Sequence, residues 1–206
     1  MKIKYKTTKY KFTKGFTLVE ALVAISILMI AVTGPMTVAQ KGLVSAITSK
    51  DQMIAAFLAQ DAIEYIKNVR DSNGVKANAI GGTSPDEWLA GLGEIECIKE
   101  TLEPNETIDS GCNVDTLHNG LLSSSVNYQM CTERSIDGQF LGYGIGDSST
   151  CILSKFSRYI KIKRVNDVVT GEPADEAYID VLIKWGNGAD QQFRIGSYLY
   201  NYWGNL

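Results

Sequence analysis

Glu20 is the only ionisable residue between Phe16 and Ala39, in a run built chiefly from Leu, Val, Ile, Ala and Met. A carboxylate at the centre of a bilayer costs about 2.5–3.5 kcal/mol on insertion scales, so an isolated one asks for a cation. Glu20 lies near one edge of the run, which lowers that cost. The plain alternative is a side chain that simply reaches interfacial water.

The other residues with chemical potential are sparse. Four cysteines, Cys97, Cys112, Cys131 and Cys151, lie well beyond the apolar run, and no spacing among them is the short CxxC of a zinc or redox centre. An even count suits disulfides in an oxidising compartment, with three connectivities open and unpaired thiols as the alternative. Sequential pairing, Cys97 with Cys112 and Cys131 with Cys151, closes the most local loops, each bond stabilising by ~3 kcal/mol.

His118 is the only histidine and sits beside Asn119 and Gly120 in a turn-like context, so it reads as a solvated loop residue. Asp109, Asp115 and Asp147 lack EF-hand spacing and read as solvated turns. Lys155, Arg158, Lys161, Lys163 and Arg164 form a basic cluster, read as cross-strand partners for Asp180 and neighbouring acids. Asn105-Glu106-Thr107 is a weak glycosylation triplet. No nucleophile–base pair, metal cluster or phosphate loop is visible, so neither an enzyme nor a cofactor or metal is expected.

These residues need elements to position them. The twenty-four residues from Phe16 to Ala39 would reach roughly 36 Å as a helix, enough for a hydrocarbon core of about 30 Å. Leu43, Ile47, Ile54, Leu58, Ala62, Tyr65 and Val69 then recur at helical spacing, predicting one helix of about fifty-five residues that ends near Asp71-Ser72-Asn73-Gly74. Gly34-Pro35 should kink or loosen it around residues 31–35, because proline lacks the N–H and crowds the Ala31 carbonyl.

Residues 72–156 read as loop-rich, with one short helix announced by the capping box Ser84-Pro85-Asp86-Glu87 before Trp88-Leu89. Residues 157–203 alternate: Ile160 and Ile162; Ile179, Val181, Ile183 and Trp185; Phe193 and Ile195; then an aromatic tail, Tyr198, Tyr200, Tyr202 and Trp203. Turns fall at Asn166 to Pro173 and at Gly186-Asn187-Gly188. The expected class is α+β: a long N-terminal helix, first membrane-spanning and then amphipathic, packed on a C-terminal antiparallel sheet of about three to four strands.

Charge is divided along the chain. The net charge is −3, yet the first fifteen residues hold six lysines and no acid, leaving fourteen basic against twenty-three acidic residues, or −9, in the remainder. Lysines flanking a first apolar span stay cytoplasmic, which places the remainder outside. An acidic exported body gives no support to nucleic-acid binding.

The segment Lys14-Gly15-Phe16-Thr17-Leu18-Val19-Glu20, followed by the apolar helix, closely resembles the processing site of type IV prepilins and pseudopilins. The resemblance covers residues 12–45; beyond them it extends only to layout. It implies a leader, 1–15, removed by a prepilin peptidase between Gly15 and Phe16, and N-methylation of Phe16 by the same class of enzyme. It implies a helix half, 16–40, that spans the inner membrane and later forms a filament core. It also implies an exported head, 41–206, made of the amphipathic stretch 41–71, the loop-rich region and the sheet. Glu20 would pair with the amine freed at Phe16, on its own chain or on a neighbouring subunit, and Gly34-Pro35 would mark where the helix loses regularity in the filament.

Implied partners are the peptidase/methyltransferase, sister pilin subunits and an inner-membrane assembly platform. The implied role is a structural subunit of a pilus-like filament on the cell surface, the size of the head leaning toward a minor pilin. A pseudopilin of a type II secretion system, spanning the periplasm, shares the same N-terminal chemistry. An exported globular protein with an ordinary signal cut after Ala39 is a third reading, weakened by Glu20 and by amphipathicity that continues past the cut.

Overall fold

The Leu-, Ala- and Ile-rich run does form a helix, α1, spanning Leu18–Ile80 without interruption over 63 residues. The computed structural model describes residues 15–80, 87–92, 97–99, 111–118, 120–122, 128–145, 151–166, 173–186 and 191–202. Two compact units divide the chain, residues 1–49 and 50–206.

In the first unit α1 continues through Pro35 as one helix. Proline leaves the Ala31 carbonyl without its helical donor. Hydroxyls flank the gap: Thr33 Oγ1 donates to the Met29 carbonyl at 3.0 Å and Thr37 Oγ1 to the Gly34 carbonyl at 2.8 Å. Such back-bonding keeps polar side chains satisfied within an apolar helix.

In the second unit one face of α1 is buried, through Ala55, Leu58, Ala59, Ala62, Ile63 and Ile66. These positions follow the i, i+3, i+4 rule. Burial begins later than the sequence periodicity implies, since Leu43 and Ile47 are exposed. The helix also ends later than the turn cluster suggests, at Ile80 instead of near residues 71–74. Asn73 there serves a tertiary role: its amide donates to the Trp88 and Ala90 carbonyls at 3.2 and 2.9 Å, tying α1 to a 3₁₀ turn at Glu87–Leu89. Residues 84–86 of the capping box lie outside the described residues, as do the 105–107 triplet, Asp109, Asp147 and Trp203.

Eight strands follow among the described residues: β1 Ile98–Lys99, β2 Asn113–Asp115, β3 Gly120–Leu122, β4 Gln129–Arg134, β5 Phe140–Gly144, β6 Cys151–Asn166, β7 Pro173–Trp185 and β8 Gln191–Tyr200. The main sheet runs β5-β4-β6-β7-β8, antiparallel throughout, with β1 added parallel to β6; β2 and β3 form a separate hairpin. Five antiparallel strands thus exceed the three to four expected. The extra pair, β4 and β5, falls in the region read as loop. Its turn is closed by Gly138 N–H donating to the Ser135 carbonyl at 2.8 Å, with Gly138 at φ +78. That conformation favours glycine, and Asp137-Gly138 is the hairpin signal in the sequence.

The C-terminal alternation forms strands as its period demands. Ala177, Ile179, Val181, Ile183 and Trp185 of β7 join Phe156, Ile160 and Ile162 of β6 and the buried face of α1 in one core. Beside this core both disulfides form in sequential order, Cys97–Cys112 with Cα atoms 4.9 Å apart and Cys131–Cys151 at 5.5 Å. Cys97 and Cys112 are neighbours along one edge of β6, where the Cys97 carbonyl accepts from Ile162 N–H at 2.8 Å and Cys112 N–H donates to the Ile160 carbonyl at 2.9 Å.

Gly111 makes this edge possible, because a Cβ there would press on the Ile160 carbonyl, a backbone atom that cannot swing away. Gly111→Ala is therefore expected to destabilise the head by about 1–3 kcal/mol. Urea denaturation of the oxidised protein would show this as a lower midpoint at unchanged slope.

Candidate processing and assembly site

Gly15, Phe16 and Thr17 precede α1 in non-helical backbone. Thr17 caps the helix: its Oγ1 accepts the Glu20 N–H at 3.3 Å, and its carbonyl accepts the Ala21 N–H at 3.1 Å. With Leu18 as the first helical residue, Glu20 is the third, the position a carboxylate takes in a capping box. Sequence reasoning singles out Glu20 and misses Thr17, although the Thr-x-x-Glu spacing is there to find.

This placement has an electrostatic consequence. A carboxylate in the first turn faces the positive end of the helix dipole and the backbone N–H groups left unpaired there. Glu20 is exposed, and among the described residues no cation pairs with it. Gly15 differs in kind, since a Cβ there would meet nothing within 4 Å and its backbone needs no left-handed conformation. The folded chain makes no demand for glycine at this position.

All residues from 15 to 47 are exposed, among them Phe16, Leu18 and Ile30 at 78, 77 and 73 %. The helix is long and apolar enough to cross a membrane, and none of its most apolar stretch is buried within the chain.

The remaining candidates are scattered through the head and do not join this site. Arg158 leaves the basic cluster altogether. It lies on the inner face of β6, fully buried, and donates through Nη1 to the Leu58 carbonyl at 3.0 Å, through Nε to Asn113 Oδ1 at 2.9 Å and through Nη2 to the Val114 carbonyl. Burial lowers its pKa to about 10, against the pull of Asp61 and Asp115. It stays charged at neutral pH.

Lys161 is also buried, opposite Asp180 in register, and the carboxylate of Asp180 is held by Arg194 of β8, with Nε at 2.9 Å from Oδ1. The strand parity explains the correction: Arg158 shares its side of β6 with Phe156 and Ile160. Asp115 departs from a solvated turn as well, whereas His118 stands exposed in a turn as expected. Asp115 is buried, and its carboxylate accepts the Leu117 and His118 backbone N–H groups at 3.1 and 3.2 Å and contacts His118 Nδ1 at 2.9 Å.

Residues 11–34 match the family model described as the prokaryotic N-terminal methylation motif. The chain therefore carries the prepilin signature of type IV pilins and pseudopilins. No curated protein and no solved structure matches the chain.

Proposed function

We propose that this chain is a structural subunit of a type IV pilus-like filament, without catalytic activity of its own. A prepilin peptidase cuts the precursor between Gly15 and Phe16 and the new amine is methylated. Phe16–Ala39 holds the subunit in the inner membrane with its lysine-rich leader inside. The helix then leaves the lipid to pack against sister helices on an assembly platform.

The observation that carries this reading is the first part of α1, residues 18–47, whose apolar surface is wholly uncovered. Exposed Leu, Ile, Val and Met over some eight turns cannot remain in water, because each fully buried aliphatic side chain stabilises by about 1.5–3 kcal/mol relative to exposure. Lipid or other copies of the same helix are the two covers that suit it, and the methylation motif supports their use in succession. Continuity of α1 from Leu18 to Ile80 weighs against a signal peptide cut after Ala39, which would divide the helix in its middle.

The role of Gly15 fits the same account, since its requirement comes from outside the fold. Mass spectrometry of the exported protein is expected to find Phe16 as the first residue, carrying one added methyl group on its amine. A mature chain beginning after Ala39, or retaining the lysines of residues 2–14, would remove the proposal.

A further inference from the structure

His118 stands in the turn after β2, between two carboxylates from different parts of the head. Asp115 Oδ2 lies 2.9 Å from Nδ1, and Glu133 Oε2, on β4, lies 3.5 Å from Nε2. Both carboxylates are more than nine-tenths buried, with side-chain exposures of 7 and 8 %, while the imidazole is 59 % exposed. Asp115 is fully engaged, its Oδ1 accepting two backbone N–H groups. Glu133 is not: among the described residues its carboxylate is paired with His118 alone.

The two contacts on the ring are unlike. At 2.9 Å, Nδ1–H donates to Asp115, and a neutral imidazole so anchored turns the lone pair of Nε2 toward Glu133. A lone pair and a carboxylate oxygen then confront each other, and a cation between them, either a proton on Nε2 or a metal ion, relieves the repulsion. A direct charge-assisted hydrogen bond would draw the pair to about 2.7–2.9 Å. Two ligands of a tetrahedral zinc, each about 2.0–2.2 Å from the metal, stand roughly 3.4 Å apart. The observed 3.5 Å fits the second arrangement.

Two further features belong to such a site. Asp115 holds the ring in the way that a carboxylate supports a zinc-bound histidine, fixing tautomer and orientation. Gly144, on the neighbouring strand β5, leaves room for the acid: a Cβ there would lie 2.6 Å from Glu133 Oε1. The Cys131 and Cys151 sulfurs are also within 4.8 Å of the Glu133 oxygen, but bonded to each other they offer no thiolate.

We propose that His118 Nε2 and the Glu133 carboxylate bind a divalent d-block cation of the zinc class, with Asp115 orienting the imidazole and solvent completing the coordination. Imidazole with carboxylate suits zinc, whereas calcium and magnesium favour all-oxygen sites. The ion would link the turn at residues 116–118 to β4. This site is independent of the N-terminal processing chemistry.

The test uses the full mature chain in detergent, without a histidine tag and with both disulfides intact. Titration with zinc chloride by calorimetry is expected to show one site. Cobalt(II) is expected to give visible d–d absorption that zinc abolishes. His118→Ala and Glu133→Gln should each remove the site, and Asp115→Asn should weaken it about 10- to 100-fold. Because His118→Ala leaves the buried Glu133 without its partner, a urea midpoint measured beside each titration separates loss of binding from loss of folding. Wild-type protein with no saturable zinc binding and no cobalt band, or His118→Ala binding as tightly as wild type, would overturn the assignment.

Discussion

Glu20→Leu is expected to yield a precursor that is inserted and cut after Gly15 as usual, yet is incorporated into filaments at least about 100-fold less well. On the proposed reading, the cut would expose an amine at Phe16, four residues before Glu20, and assembly would carry it with the helix into a core of apolar side chains. Removing one partner of a buried ion pair costs about 3–5 kcal/mol, and each 1.4 kcal/mol is a tenfold change in association. The loss falls on assembly because Glu20 takes no part in the hydrophobic core of the head.

Glu20→Gln separates charge from hydrogen bonding. It keeps the first-turn geometry set by Thr17 but not the charge, so it is expected to assemble better than Leu and worse than wild type. Quantifying pilin in sheared filament fractions against total mature pilin measures the effect directly. Equal incorporation of Glu20→Leu and wild type would defeat the pairing, while an unchanged urea midpoint for the head would show that folding is not the cause.

Arg158→Met should destabilise the head by about 3–5 kcal/mol. The guanidinium is wholly buried and joins three segments far apart in sequence: the Leu58 carbonyl on α1, Asn113 and the Val114 carbonyl on β2, and β6 itself. Asp61 Oδ2, 3.5 Å from Nη1, supplies the nearest opposite charge and is itself bonded to Thr116 Oγ1 at 2.6 Å. Methionine fills a similar volume but leaves these buried acceptors without their donor, at about 1–3 kcal/mol each when no water reaches them.

Lysine is a poor substitute. A single ammonium cannot spread its donors in the planar fork that reaches α1 and β2 together, so Arg158→Lys is expected to recover only part of the loss. Denaturant unfolding of the oxidised chain gives both values. A loss below about 1 kcal/mol for Arg158→Met would show that the three segments are held by apolar packing alone.

Features that depend on neighbours in the chain are legible in the sequence. The apolar run, its single carboxylate, the helical period and the C-terminal alternation all arise from side chains a few positions apart, and α1 and β6 to β8 follow from them. Even local cues lose their force where several compete. Asp137-Gly138 marks the β4–β5 hairpin and Thr-x-x-Glu marks the cap on α1, but the first is masked by its polar surroundings and the second by its apolar ones.

What the sequence by itself determined is the amphiphile: a lysine-rich start, a membrane-length helix carrying one charge, and a strand-rich end with enough apolar surface to cover part of that helix. Tertiary structure alone decided where the polar residues of the head would go. Asn73 stays helical because its amide finds the carbonyls of residues 88 and 90. Arg158 turns inward because it shares a strand face with the core, and His118 meets Glu133 because the fold brings residues fifteen positions apart within 3.5 Å. The physical reason is common to all three. A buried polar group is stable only beside a partner, and for Arg158, for Glu133 and for the carbonyls that Asn73 meets, the partner lies on another element, where local spacing carries no trace of it.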